Sequence, residues 1–248
     1  MTRAIAFGCC LTLLLAACGG TMAPIEDYHA PERSANVVPL PPGYYQVKRG
    51  DTLYSIAFQY GYAFKDVAAW NHIETPYLIY LGQRLRVMPP EAVEPSSIRI
   101  LPSEVRPAPQ ASVPLPTIPD KVSVGPLRWV WPTNGSLIHS FDPNQPGGKG
   151  IDIRGRIGQS VNASANGWVV YSGSGLKGYG QLLIVKHDKK LLSAYGHNRK
   201  LLVKEGDEVR AGQAIAEMGS NGESGPMLHF EIRLDGKPVN PLWYLPKR

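Results

Sequence analysis

The sequence predicts a mainly β protein in which a small strand–helix–helix–strand module is linked to a larger antiparallel β-sandwich or open barrel. Two observations carry the larger module. From Leu127 to Arg248, short β-branched or aromatic runs alternate with Gly, Asn and Asp turns, and no helical period of useful length appears. A third observation separates the modules: between Pro89 and Pro126 proline recurs every few residues, which excludes ladders and helices and predicts an extended spacer of polyproline II character. All three cysteines fall at or before Cys18, so no disulfide staples the folded parts and their stability must come from apolar burial. The formal charge of +6 is spread along the 248 residues rather than gathered in a Lys/Arg block. That distribution predicts no nucleic-acid binding and fits an acidic polymer such as peptidoglycan only weakly.

The first element is a leader. Arg3 supplies a positive start, the run from Ala4 to Ala17 is apolar but short for a membrane span, and Leu15-Ala16-Ala17-Cys18 ends it. This resembles a bacterial lipoprotein signal with its lipobox. The resemblance implies removal of residues 1–17 and acylation of Cys18, where several chains together anchor stably and one alone would not. Gly19 after the cysteine implies the outer membrane by the same resemblance. Residues 18–43 are polar and proline-punctuated, as expected of a lipidated tether.

Residues 44–88 form the small module. Tyr45 to Arg49 reads as a strand stopped by Gly50, and Asp51 or Thr52 can accept from the free amides of a following helix. Leu53, Ile56, Ala57 and Tyr60 recur at helical spacing, and Gly61 ends that helix. A second helix is predicted from Phe64 to Asn71, and Leu81 to Val87 closes as a strand. The turn Gly50-Asp51-Thr52-Leu53, the pair Trp70-Asn71, and Gly82-Gln83 before Leu85 resemble a LysM module. That resemblance implies a shallow groove for N-acetylglucosamine-containing glycans, with Gly50, Asp51, Thr52 and Leu53 on one side and Ile79 and Tyr80 on the other. Equally, Asp51 and Thr52 would serve as helix caps and Leu53 as core.

In residues 127–248, Val169-Val170-Tyr171, Leu182 to Lys186, Leu191 to Tyr195 and Leu228 to Arg233 read as strands. The turns are Asp188-Lys189-Lys190, Glu205-Gly206-Asp207 and Asp235-Gly236-Lys237. Gly147 to Ile153, Tyr195-Gly196-His197 and Met227-Leu228-His229-Phe230-Glu231 resemble the three active-site stretches of the lysostaphin/LytM zinc endopeptidases, whose domain has a duplicated hybrid motif-like fold. In that family zinc is held by a His, an Asp four residues on, and the second His of a His-x-His strand, leaving a fourth position for water. Asp152 and His229 match two of these ligands, but Gly148 stands at the third. His197 matches one of two further histidines that handle protons and the oxyanion, and Met227 stands at the other. Losing a whole ligand should weaken a metal site beyond the roughly 10–100-fold of outer-sphere changes. The lost acid–base group removes a further ~10²–10⁴ in rate.

The expectation is therefore a vestigial site: no catalytic residues, no metal and no cofactor. Asp152 and His229 should pair directly or through His197. His139, Asp142 and Asn144 lie where a loop could bring in a substitute ligand, although His139, between Ile138 and Ser140 in strand-like sequence, reads more simply as structural. Leader, tether, LysM, spacer and degenerate peptidase in that order resemble the NlpD-type murein hydrolase activators. This implies peptidoglycan and a periplasmic N-acetylmuramoyl-L-alanine amidase as partners, a membrane anchor at Cys18, and action at the division septum. The implied docking groove is the strip of Asp152, His197, Met227 and His229, with Tyr179 and Tyr195 as aromatic anchors. Two other readings stay open, an active zinc endopeptidase and a purely structural tether between outer membrane and wall.

Overall fold

The computed structural model describes residues 40–90 and 127–248, except Glu223; the expectations on Cys18, the tether up to Pro39 and most of the spacer lie outside the described residues. In the small module β1 (Tyr44–Gln46) pairs antiparallel with β2 (Arg84–Arg86), and Tyr45 lies opposite Leu85. Between them run α1 (Leu53–Tyr60) and α2 (Phe64–Trp70). Thr52 caps α1: its Oγ1 accepts from the Ser55 amide at 3.0 Å while Ser55 Oγ accepts from the Thr52 amide at 3.0 Å, so two orphan donors are satisfied reciprocally. Gly61 ends α1 in the left-handed conformation at φ 75°, where a Cβ would be strained. The Trp70-Asn71 pair has a structural reason. Asn71 donates to the Arg86 carbonyl at 2.8 Å and accepts from the Arg86 amide at 2.7 Å, locking α2 to β2.

The large module is one antiparallel sheet of ten strands: β3 (Leu137–His139), β4 (Ile151–Arg154), β5 (Ser160–Asn162), β6 (Gly167–Gly173), β7 (Gln181–Lys186), β8 (Leu191–Leu201), β9 (Glu208–Val209), β10 (Ala214–Ser220), β11 (Pro226–Leu234) and β12 (Lys237–Val239). Strand β11 is the hub, pairing with β4, β8, β10 and β12. The four strands read from the sequence are β6, β7, β8 and β11. The turn at Asp188 closes β7 onto β8, its carboxylate accepting from the Lys190 and Leu191 amides at 2.7 Å each.

Two apolar clusters result from the two-residue period of the strands. Leu183, Val185, Tyr195, Leu228, Phe230 and Ile232 face the interior of the large module. Their neighbours Leu182, Ile184 and Ala194, with Val170 and Tyr171, face the other way and join the core of the LysM-like module, packing in one cluster with Leu53, Phe58 and Phe64. Strand β7 is thus covered on both sides, which is why it reads Leu-Leu-Ile-Val without alternation. The small module lies on the outer face of β6, β7 and β8. Lys186, fully buried there, donates to the Tyr54 hydroxyl at 3.2 Å with its ammonium 4.9 Å from the Phe64 ring. On the other face of the sheet, His187 is buried between the Asn166 carbonyl and Ser193 Oγ, each at 2.7 Å.

Candidate functional site

Register builds the site. On β11, Leu228, Phe230 and Ile232 point into the core, so Met227, His229, Glu231 and Arg233 share the opposite face. His229 lies opposite Asp152 of β4 on one side and Gly196 of β8 on the other, and Asp152 in turn pairs with His139 of β3. A groove of about 880 Å³ opens over this face, lined among others by His139, Asp142, Gly148, Tyr179, His197 and Met227.

The polar groups at its floor satisfy one another. His229 Nδ1 is 2.7 Å from Asp152 Oδ1 and its Nε2 is 3.1 Å from Glu231 Oε1. Both partners are acceptors, so the imidazole donates from both nitrogens as an imidazolium. Burial alone would lower the His229 pKa, but the bonds to Asp152 and Glu231 outweigh it and raise it to about 9. Burial would raise the Asp152 carboxyl, yet His229 and then His139 hold it below its ordinary value. Glu231 is fully buried; the Arg233 charge and His229 together overcome desolvation and bring it down to about 2. Arg233 Nε donates to Glu231 Oε2 at 2.8 Å, and the Tyr179 hydroxyl donates to Glu231 Oε1 at 2.8 Å.

The direct Asp152–His229 pair is as the residues suggested, but His197 is not its bridge. Its ring centroid is 6.0 Å from that of His229, and burial followed by the neighbouring imidazolium pushes its pKa down. His197 sits at φ 60°, uncommon for a side chain with a Cβ, and its amide donates to the Tyr179 carbonyl at 2.8 Å. His139, read from its neighbours as an ordinary strand histidine, instead places Nδ1 2.8 Å from Asp152 Oδ2 at the groove edge.

A zinc ion of the peptidase type does not fit these residues. Among the described residues no three His, Cys, Asp or Glu side chains come together to hold a metal. Gly148 is more than a missing ligand. The loop before it is cinched by Asp142 N to Gly148 O at 2.9 Å, Gly148 N to Gln145 O at 3.0 Å and Gln145 N to Asp142 O at 3.1 Å. A Cβ built on Gly148 would overlap the Asp142 carbonyl oxygen, so backbone fills the place a ligand would need.

Further expectations, on Tyr195 and on the LysM side, need correction. Tyr195 is no groove anchor: it faces the interior core with no exposure, its hydroxyl accepting from the Ser164 amide at 2.8 Å and lying 2.8 Å from Ser193 Oγ. On the LysM side, Leu53 and Ile79 are buried core, and Thr52 is committed to its cap and to the Val170 carbonyl at 3.3 Å. Gly50 and Tyr80 are exposed and Asp51 half-exposed, its carboxylate held by the Tyr45 hydroxyl at 2.8 Å and the Lys48 amide at 2.7 Å. Glu231 and Arg233 were missed as site residues. Their signal was the alternation His-x-Glu-x-Arg, which puts opposite charges on one face of a strand otherwise read as core.

Comparison with known proteins agrees with the two-module reading. Residues 45–87 match the LysM domain and residues 147–241 match peptidase family M23. A Pseudomonas aeruginosa protein named lipoprotein NlpD/LppB homolog is 44% identical, over 97% of this chain and 91% of its own. The chain belongs to the NlpD/LppB lipoprotein family. Another member, the murein hydrolase activator NlpD of Escherichia coli, is 39% identical over 82% of this chain and 68% of its own. Among solved structures, a putative M23 peptidase from Pseudomonas aeruginosa aligns with a TM-score of 0.44 at 28% identity, covering 48% of this chain and 50% of that one. In this member of the family the M23 groove is floored by the Asp152–His229–Glu231–Arg233 chain.

Proposed function

We propose that this chain is a non-catalytic activator of a periplasmic N-acetylmuramoyl-L-alanine amidase, held in the outer membrane by Cys18 and on the wall by its LysM module, acting where daughter cells separate. The observation that carries the reading is the closed loop at Gly148. Backbone fills a ligand's place, and the surviving Asp152 and His229 neutralise each other instead of awaiting a cation. What remains is a groove of about 880 Å³ with an apolar wall at Phe141 and a charged, internally satisfied floor beside the buried Met227. Such a surface binds a protein segment better than it cuts one.

Activation requires only preferential binding to the open form of the amidase. Shifting its population a hundredfold needs about 2.7 kcal/mol of differential affinity, within reach of one or two well-packed contacts. The groove strip of His139, Tyr179 and His197 supplies them. On the LysM side, Gly50, Asp51 and Tyr80 remain available to a glycan, and an aromatic ring beside open backbone and a carboxylate acceptor suits an amino-sugar polymer. The name murein hydrolase activator borne by the Escherichia coli relative supports this reading. The test mixes the purified chain with a periplasmic amidase and dye-labelled murein. Dye is expected from the mixture only; release by the chain alone would make it a hydrolase, and no release from the mixture would leave a tether.

A further inference from the structure

Three contacts join the small module to the floor of the groove, and two more relay them. The Phe58 ring of α1 lies 3.3 Å beneath the Arg233 guanidinium, and Arg233 Nη1 donates to the Phe58 carbonyl. The same ring meets Tyr179 edge-on at a centroid distance of 5.6 Å. Arg233 Nη2 is 3.3 Å from the Tyr179 hydroxyl, and Arg233 Nε holds Glu231 at 2.8 Å. Tyr179 and Glu231 both line the groove. Each nitrogen of the Arg233 guanidinium thus has a partner, Nε on Glu231, Nη1 on the Phe58 and Gly236 carbonyls and Nη2 on Tyr179, and its exposure is 1%.

We infer that helix α1 of the LysM module is a positioning element of the M23 groove: docked on the face of β11 that carries Arg233, it fixes Tyr179 and Glu231 through Arg233, a second role separate from glycan binding. The inference rests on the groove being the amidase-docking surface, and deepens that reading. With α1 in place the Arg233–Glu231 pair is shut away from water, where its directional bonds hold a single geometry. With α1 removed, the guanidinium loses a carbonyl partner and a ring, water enters, and Tyr179 loses the wall that orients it. Docking leaves Gly50 and Tyr80 exposed, so the module can hold the wall and brace the groove together.

The seam offers a clean wedge. Gly236, at φ 79° in the turn joining β11 to β12, would place a Cβ into the backbone of Tyr62 and Ala63. Asparagine accepts the left-handed conformation, so Gly236→Asn keeps the hairpin and levers the module away. In the full chain this variant should retain binding to purified sacculi, lose the nuclear Overhauser contact between Phe58 and Arg233, and shift the Tyr179 and His229 ring signals. Amidase-dependent dye release should fall about tenfold, as for loss of one central interface contact. Phe58→Leu, which removes the ring but keeps apolar volume, should shift the same signals less. Unchanged groove signals with the modules apart, or modules still docked in Gly236→Asn, would overturn the inference. If the unaltered chain fails to activate an amidase, the functional reading falls, while the ring signals still decide the bracing role.

Discussion

Replacing Gly148 and Met227 together by histidine would write the full peptidase residue set back into the chain, yet the double variant should remain a poor zinc protein. To admit a side chain at position 148 the loop must open, forfeiting the three backbone hydrogen bonds among Asp142, Gln145 and Gly148, or about 3 kcal/mol at about 1 kcal/mol each. His229 must also give up a proton to become a ligand, and with its pKa at about 9 this costs about 3 kcal/mol at neutral pH. The combined penalty of about 6 kcal/mol weakens zinc binding by about four orders of magnitude relative to a preformed site. Zinc titration calorimetry at pH 7, with metal analysis after gel filtration, measures it. Stoichiometric zinc surviving gel filtration, with cleavage of murein crosslinks, would refute the reasoning.

Other perturbations test other links. Glu231→Gln leaves Arg233 and His229 buried without their shared carboxylate and should lower the unfolding free energy by about 3–5 kcal/mol in urea; the double change Glu231→Leu with Arg233→Met should cost less. Burial pushes the His187 pKa down to about 4, below its unfolded value. The neutral ring therefore favours folding above about pH 6.5, and as pH falls from there to 4.5 the chain should lose about 2 kcal/mol that His187→Gln does not lose. Urea midpoints of both proteins across that window check the difference. Tyr80→Ala should weaken sacculus binding several-fold in sedimentation assays without moving the melting temperature, since Tyr80 is 52% exposed.

Much of the fold was legible because local chemistry and tertiary structure agree. Thr52 and Gly61 bracket α1, and Asp188 and Gly206 mark turns whose flanking runs are strands. Asp152 and His229 were readable as a pair through their peptidase-like spacing, and the register of β4 against β11 puts them in contact. What lies between the modules was not legible. Leu182 to Val185 reads as a buried strand whichever layer covers it, so nothing local says that the LysM helix supplies the cover. Glu231 and Arg233 were hidden for the same reason, since a charged pair inside a strand declares its partner only through long-range pairing. Tyr195 and Thr52 misled in the opposite direction: residue type suggested contact with a ligand, and interior hydrogen bonding had already claimed both.

The outer face of β7 has a consequence for how the chain matures. Leu182 and Ile184 belong to the later part of the polypeptide, and their cover comes from the earlier part. During synthesis and export the LysM module emerges first and can complete its own small core before β6 to β8 assemble. The greasy side of that sheet then meets a finished lid rather than another half-made chain, which shortens the interval in which it could aggregate. Swapping the order of the two modules would remove that head start while leaving every native contact available.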